Sequence, residues 1–111
     1  MNLILIPGRK GINEGVYESA KKASAGTDTL IRVSLDRTVV KKASRIIILT
    51  EAKYKGRLLG AYEIYKKVFI WNKTARIIVF DGWKWPVKEQ YMLPRKNLVK
   101  DLLAAIKGHA K

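Results

Sequence analysis

The chain has 111 residues, of which 48% are hydrophobic, and its 23 Lys and Arg against 9 Asp and Glu give a formal net charge of +14. This length fits one compact domain, residues 1–111, and excludes a second folded domain. The absence of cysteine excludes disulfides and thiolate metal sites. The charge favours a polyanionic partner, with nucleic acid ahead of an anionic membrane.

Further absences narrow the function classes. The apolar run at residues 3–6 is too short for a secretory signal, and no segment approaches the ~20 apolar residues of a membrane span. We therefore expect a cytoplasmic protein that does not associate with membranes. The single histidine, His109, and the scattered carboxylates predict no metal site and no cofactor. The many Lys, Arg and Ile residues are typical of thermophilic, often archaeal, proteins.

The first half of the chain predicts strands on either side of a helix. In order, the patterns predict a strand at residues 3–6, a helix at residues 13–25 and strands at residues 30–34 and 45–50. The first strand ends at Pro7-Gly8, where the chain turns. The helix is bounded by Asn13 as its N-cap and by Gly26 after its last turn. The basic segment 39–42 joins the two later strands.

The segment 57–70 fits two patterns. A helix face is formed by Leu58, Tyr62, Tyr65 and Phe69, whereas strand alternation fits Leu58, Gly60, Tyr62 and Ile64. The Lys55-Gly56 pair between two β-type runs favours a hairpin with a long, bent second strand. The alternative is a helix. In that case the fold is a small open α/β sheet, and the loop at residues 7–11 becomes a stronger candidate for phosphate binding.

Beyond this segment the patterns are clearer. Residues 75–80 predict a strand that ends at Asp81-Gly82. Residues 95–107 predict a helix that is preceded by Pro94 and followed by Gly108. Leu, Leu and Ile side chains at helical spacing give this last helix a single apolar stripe.

Three segments carry a resemblance to a known superfamily. They are residues 24–32 (SAGTDTLIR), 39–49 (VVKKASRIIIL) and 56–64 (GRLLGAYEI), after the first strand and helix. This succession resembles the PUA-like β-barrels, in particular the ASCH and EVE families, over about residues 3–106. The resemblance implies a mixed β-barrel of about five to six strands with two or three flanking helices. It also implies an RNA-binding pocket that accepts an unpaired or modified base.

The chain departs from the ASCH pattern at positions that the resemblance associates with hydrolysis. Gly26, Thr29 and Arg32 align with the ASCH signature, but Asp28 stands at its lysine and the glutamate is missing. ASCH-like enzymes use that lysine, threonine and glutamate together. We therefore expect a binding module with no catalytic residues. An ASCH-like hydrolase or ribonuclease acting on RNA or modified nucleosides is the alternative.

All three tryptophans lie among cations in one part of the chain. Residues 71–88 contain Trp71, Arg76, Trp83, Lys84, Trp85 and Lys88. Flat aromatic faces beside cations favour the stacking of unpaired bases and contacts to their phosphates. Burial as core anchors is the alternative for each tryptophan, and we expect it first for Trp85, which directly precedes Pro86.

Further residues complete the predicted site. The resemblance frames its pocket with the segment after the first helix, which contributes Thr29 and Arg32. Lys53, Lys55 and Arg57 cluster at the tip of the predicted hairpin, where exposure suits phosphate contacts. An ordinary solvated turn is the alternative for these cations. Because Arg32 and Arg76 lie inside predicted strands, where a charged side chain must point outward or be paired, a structural ion pair is the alternative for each of them.

The sequence thus predicts a nucleic-acid-binding module for single-stranded or unpaired RNA, with DNA as an open alternative. A basic face supplies affinity and aromatic side chains supply stacking. The second alternative is an architectural protein of double-stranded DNA, in which the charge matters and the tryptophans are buried. The loop at residues 7–11 lacks the spacings of nucleotide P-loops and dinucleotide sites, so nucleotide binding there is not expected.

Overall fold

The computed structural model describes residues 1–7, 12–81, 90–92 and 98–107, and these contain seven strands and four helices. In chain order they are β1 (Asn2–Leu5), α1 (Ile12–Ser24), β2 (Thr29–Arg32), α2 (Arg37–Lys42), β3 (Arg45–Leu49), β4 (Glu51–Tyr54), β5 (Arg57–Gly60), α3 (Ala61–Trp71), β6 (Arg76–Asp81), β7 (Gln90–Met92) and α4 (Leu98–Lys107). Strands β4 and β5 form a hairpin, and the other five form one sheet. No helix in these ranges is long and apolar enough to cross a membrane.

The main sheet is open and parallel, with the strand order β2-β1-β3-β6-β7. Its register places Ile47 of β3 between Ile4 of β1 and Ile78 of β6, and all three side chains are fully buried. Continuous aliphatic runs are typical of parallel strands, because their helical crossovers cover both faces of the sheet. The isoleucine-rich strands therefore form the middle layer of the fold.

Helices cover both faces of this sheet. On one face, Ala20 of α1 and Leu102 of α4 share a buried cluster with Ile4. On the other face, Ile64 of α3 shares a second buried cluster with Leu5. Successive strand residues point to opposite faces, so Ile4 and Leu5 enter different clusters. The chain therefore forms a three-layer, doubly wound arrangement.

The sheet corrects the expected barrel. Helices and strands are both present, as predicted, but β2 and β7 lie at opposite edges of an open sheet, so the described residues form no closed barrel. The alternative prediction, a small open α/β sheet, is the fold observed. Runs of β-branched residues occur in barrel strands and in parallel core strands alike, and only the pairing partners distinguish them.

The segment 57–70 also differs from the expected long second strand. The predicted hairpin is confirmed, but β5 ends at Gly60 and α3 follows directly. A helix forms here because Ala61, Ile64 and Val68 give a buried aliphatic stripe at helical spacing. Burial of this stripe against the sheet outweighs the modest helix propensity of the Tyr, Phe and Ile residues around it.

The two other predicted helices are confirmed with small changes. The helix predicted at residues 13–25 is α1, and Gly26 follows it with a φ of 76°, as expected for the position after a last helical turn. Because α1 begins at Ile12, Asn13 lies in its first turn and is not the N-cap. The predicted C-terminal helix is confirmed over its described part by α4.

A buried asparagine joins the ends of α2 and α3. Asn72 is 8% exposed, and its Nδ2 donates to the carbonyl oxygens of Val40 and Ala43, both at 2.8 Å. Its Oδ1 accepts from the backbone N–H groups of Thr74 and Ala75 at 3.2 and 3.0 Å. One amide therefore satisfies carbonyl groups at the end of α2 and fixes the turn that leads into β6.

Replacement of Asn72 with alanine is expected to lower the free energy of unfolding by about 1–3 kcal/mol, because the buried carbonyl groups of Val40 and Ala43 each lose the hydrogen bond from its side-chain amide. Urea denaturation followed by circular dichroism measures the change. The exposed neighbour provides the control, since Lys73→Ala is expected to stay within about 0.5 kcal/mol of the parent chain. A similarly small change for Asn72→Ala would show that the amide does not hold α2 and α3 together.

Candidate nucleic-acid interface

The sheet does not bring together the predicted site residues of β2 and β6. Thr29 begins β2 and Arg76 begins β6, and the two intervening strands separate them by about 14 Å across the sheet. Arg32 lies at the other end of β2, where it is exposed and its Nη1 donates to the carbonyl oxygen of Ile31 at 3.1 Å. These three residues therefore do not form one pocket.

Thr29 has a local structural role. Its hydroxyl oxygen accepts from Nδ2 of Asn2 at 3.3 Å and shares a hydrogen bond of 2.7 Å with the hydroxyl of Thr27. These bonds fasten the edge strand β2 to β1 and to the turn that precedes it. The hydroxyl is therefore used within the protein.

The hairpin brings its predicted cations together. Lys53 lies in β4, Lys55 in the turn and Arg57 in β5, and all three are exposed. The backbone N–H of Lys53 donates to the carbonyl of Val33 at 2.9 Å, and its carbonyl accepts from the N–H of Leu35 at 2.7 Å. The hairpin is thus a projection that carries three cations and is anchored to the body of the protein.

The hairpin turn holds a lysine in a backbone conformation that few L residues adopt. Lys55 has a φ of 50° and Gly56 a φ of 78°, as in a two-residue type I′ turn, for which Asn-Gly is preferred. A lysine at this position costs about 1–2 kcal/mol. Its ammonium lies 5.4 Å from the ring centroid of Tyr54, a contact that offsets part of this cost. The tip therefore keeps a positive charge in spite of backbone strain.

Trp71 is a half-buried anchor at the end of α3. Its ring centroid lies 5.6 Å from that of Tyr54, with the planes tilted by 57°, and the Arg37 guanidinium lies 6.0 Å from its ring. The indole also packs against the buried cluster beneath α2 and α3. Trp71 therefore joins the hairpin to both helices. The other predicted residues of this region, Trp83, Lys84, Trp85 and Lys88, lie outside the described residues, and their roles stay predictions.

Rings and cations alternate where the hairpin meets α3. We define the hairpin–α3 surface by eight residues on two sides of α3: Tyr62, Lys66 and Phe69 on the outer side, and Arg37, Tyr54, Lys55, Lys67 and Trp71 on the side of the hairpin. The ammonium of Lys67 lies 4.8 Å from the ring centroid of Tyr54, and that of Lys66 lies 4.8 Å from the ring centroid of Tyr62. Tyr54, Tyr62 and Trp71 thus each have a cation close to the ring.

Two rings of the hairpin–α3 surface are open to solvent. Tyr62 is 58% exposed and Phe69 is 50% exposed, while Ile70 beside them is 66% exposed. Seven residues make almost two helical turns, so Tyr62 and Phe69 project from the same side of α3. Phe69 leans on Tyr65, with ring centroids 6.0 Å apart and planes at 27°. Exposed apolar rings clustered in this way indicate a binding surface.

Six residues of this surface are absent from the sequence-based prediction: Arg37, Tyr54, Tyr62, Lys66, Lys67 and Phe69. A strand interpretation of residues 57–70 hides those of α3, because it sends alternate side chains into the core. The available signal is the spacing i, i+4, i+7 of Tyr62, Lys66 and Phe69, which places them on one helix face. Arg37 has no such signal, since its position beside the indole depends on how α2 packs.

No protein-family model, curated protein or solved structure matches this chain. The resemblance to PUA-like families therefore stays a prediction. Within the described ranges, no three His, Asp or Glu side chains converge on a position that could hold a metal ion. The function is therefore inferred from the geometry and charge of the hairpin–α3 surface.

The half-buried and exposed rings are expected to differ in their contribution to stability. Trp71→Ala should lower the free energy of unfolding by about 2–4 kcal/mol, because the indole packs on the hairpin and on the buried cluster. Tyr62→Leu should change it by less than about 0.5 kcal/mol, because that ring is mostly exposed. Guanidinium denaturation of the two variants measures both values. Equal decreases in the free energy of unfolding for the two variants would contradict the distinction between Trp71 as a structural anchor and Tyr62 as a binding ring.

Proposed function

We propose that this chain binds single-stranded RNA through the hairpin–α3 surface. The observation that carries the proposal is the ring of Tyr62, which is 58% exposed and has the ammonium of Lys66 at 4.8 Å from its centroid. An exposed flat ring with an adjacent cation is complementary to a base and its phosphate. RNA is the ligand we favour, because unpaired bases are the usual target of RNA-binding surfaces.

The aromatic part of the surface supports base stacking. Unpaired bases stack on aromatic faces with a gain of ~1–3 kcal/mol per base, and this gain depends little on the base because every base has a π-face. Tyr62 and Phe69 offer two such rings on one side of α3. Base pairs in a duplex are already stacked on each other, so the same rings have little to offer to double-stranded nucleic acid.

The basic part of the surface supports contacts to phosphates. Lys55 lies at the hairpin turn, and Lys66 and Lys67 lie on α3 beside the rings; Arg57 of β5, next to this surface, adds a further exposed cation. Each lysine or arginine that neutralises a phosphate releases a counterion, which makes the affinity depend on salt. The formal net charge of +14 extends this attraction beyond the contact itself.

A second copy of this chain is a less suitable occupant of the surface. In a two-fold symmetric dimer the same patch meets itself, which would bring the cations Arg57, Lys66 and Lys67 close to the cations of the other copy. Like charges in contact disfavour association, and this protein has a large excess of them. A polyanion neutralises the same cations, so charge complementarity favours nucleic acid.

Loss of a flat ring on α3 is expected to weaken RNA binding. Tyr62→Leu or Phe69→Leu should each reduce the affinity for a labelled oligouridylate by about 5- to 150-fold, because leucine keeps apolar bulk but offers no stacking face. Tyr62→Phe keeps the ring and is expected to bind within about twofold of the parent chain. Fluorescence anisotropy at fixed salt measures the affinities.

The matched control for these variants is Tyr17→Leu, which removes a 40% exposed tyrosine from α1 on the other face of the sheet. It should leave binding unchanged. Duplex DNA, tested in parallel, should bind more weakly than the oligouridylate and should not distinguish Tyr62→Leu from the parent chain. Preferred duplex binding, or cleavage of the RNA during the titration, would instead support an architectural protein or a ribonuclease.

The lysines are expected to set the salt dependence of binding. The double variant Lys55→Gln/Lys66→Gln should make the slope of log K against log salt concentration shallower by about 1.4, since each lost phosphate contact to a single strand removes about 0.7. Anisotropy titrations at four salt concentrations give the slope. The control is Lys21→Gln/Lys22→Gln on α1, which has the same net charge as the first double variant and should change the slope much less. Equal changes of slope in the two double variants would mean that the lysines attract RNA only through the overall charge and not at a defined site.

A further inference from the structure

We infer that the RNA strand runs along the axis of α3, with two non-adjacent bases on Tyr62 and Phe69 and the intervening phosphates at Lys66. This inference rests on the proposed function and adds a register and a minimum ligand length to it. The observations that carry it are the exposure of both rings and the contact between Lys66 and Tyr62.

The spacing of the two rings sets how many nucleotides lie between them. Tyr62 and Phe69 are seven residues apart in a continuous helix, which corresponds to about 10 Å along the helix axis. A stacked nucleic-acid strand advances about 3.4 Å per nucleotide, and a strand with separated bases advances farther. The rings are therefore about two to three nucleotide steps apart, so neighbouring bases cannot occupy both of them.

The position of Lys66 defines what lies between the bases. Lys66 is four residues after Tyr62 and three before Phe69, so it shares their side of α3 and lies between the rings along the axis. Its ammonium lies over the ring of Tyr62, 4.8 Å from the centroid, and so covers one face of that ring. A base stacks on the opposite face, and a phosphate that follows this base is thus near a positive charge.

The flanks of α3 agree with this path. Ile70 adjoins Phe69 and is 66% exposed, which extends the apolar contact at that end of the strand. Lys67 turns to the other side, toward the ring of Tyr54 at 4.8 Å from its centroid, and belongs to the anchored hairpin. The open track on α3 therefore consists of Tyr62, Lys66, Phe69 and Ile70.

A length series of oligouridylates tests the register. Affinity is expected to rise about 5- to 150-fold at the length of three or four nucleotides, where the second base reaches its ring, and to change little between four and six. In the shortest tight-binding oligonucleotide, an abasic site at either end should remove this gain, whereas an abasic site at an inner position should cost less than about twofold.

The variants assign the two ends. In Tyr62→Leu, an abasic site at one end of the oligonucleotide should not lower the affinity further, because the ring for that base is already missing. An abasic site at the other end should still lower the affinity in full. Phe69→Leu should give the reverse pattern. An affinity that rises evenly with length, together with equal abasic effects at every position, would overturn the register and leave RNA binding intact. Failure of every oligonucleotide to bind would overturn the proposed function as well.

Discussion

The burial of both faces of the parallel sheet is the constraint on which the rest of the structure depends. Strands β1, β3 and β6 present fully buried aliphatic side chains to both sides, and each contributes about 1.5–3 kcal/mol on leaving water. Helices must therefore lie on both faces. Parallel pairing requires crossover segments, and α1, α2 and α3 supply both the connection and the cover.

The same constraint explains why the aromatic residues of α3 face solvent. The helix can turn only one stripe toward the sheet, and Ala61, Ile64 and Val68 fill that stripe. Tyr62 and Phe69 are left on the outer side, among the lysines that a solvated helix face accepts. The core and the candidate RNA surface are thus two sides of one helix, so the exposed rings on the outer side take no part in the core.

Local patterns predict those features whose cause is local. The hairpin turn follows from Lys55-Gly56, because a two-residue turn needs positive φ values, and the cations Lys53 and Arg57 come with it. The predicted pocket of Thr29, Arg32 and Arg76 is not formed, because β2 and β6 are not neighbours in the sheet. Strand order is set by long-range pairing, which no local pattern encodes. The expected closed barrel is not observed among the described residues for the same reason, since aliphatic strands suit either architecture.

By itself the sequence determined a strongly basic chain with isoleucine-rich strands, a first helix that ends before Gly26, a hairpin and an amphipathic last helix, because composition and short-range periodicity decide these features. Only the tertiary structure decided which strands are neighbours, that residues 61–71 form a helix, and which side of that helix meets solvent. The segment fits helix and strand patterns equally well. Burial of its aliphatic stripe against a sheet built from distant residues selects the helix, and that selection exposes the rings.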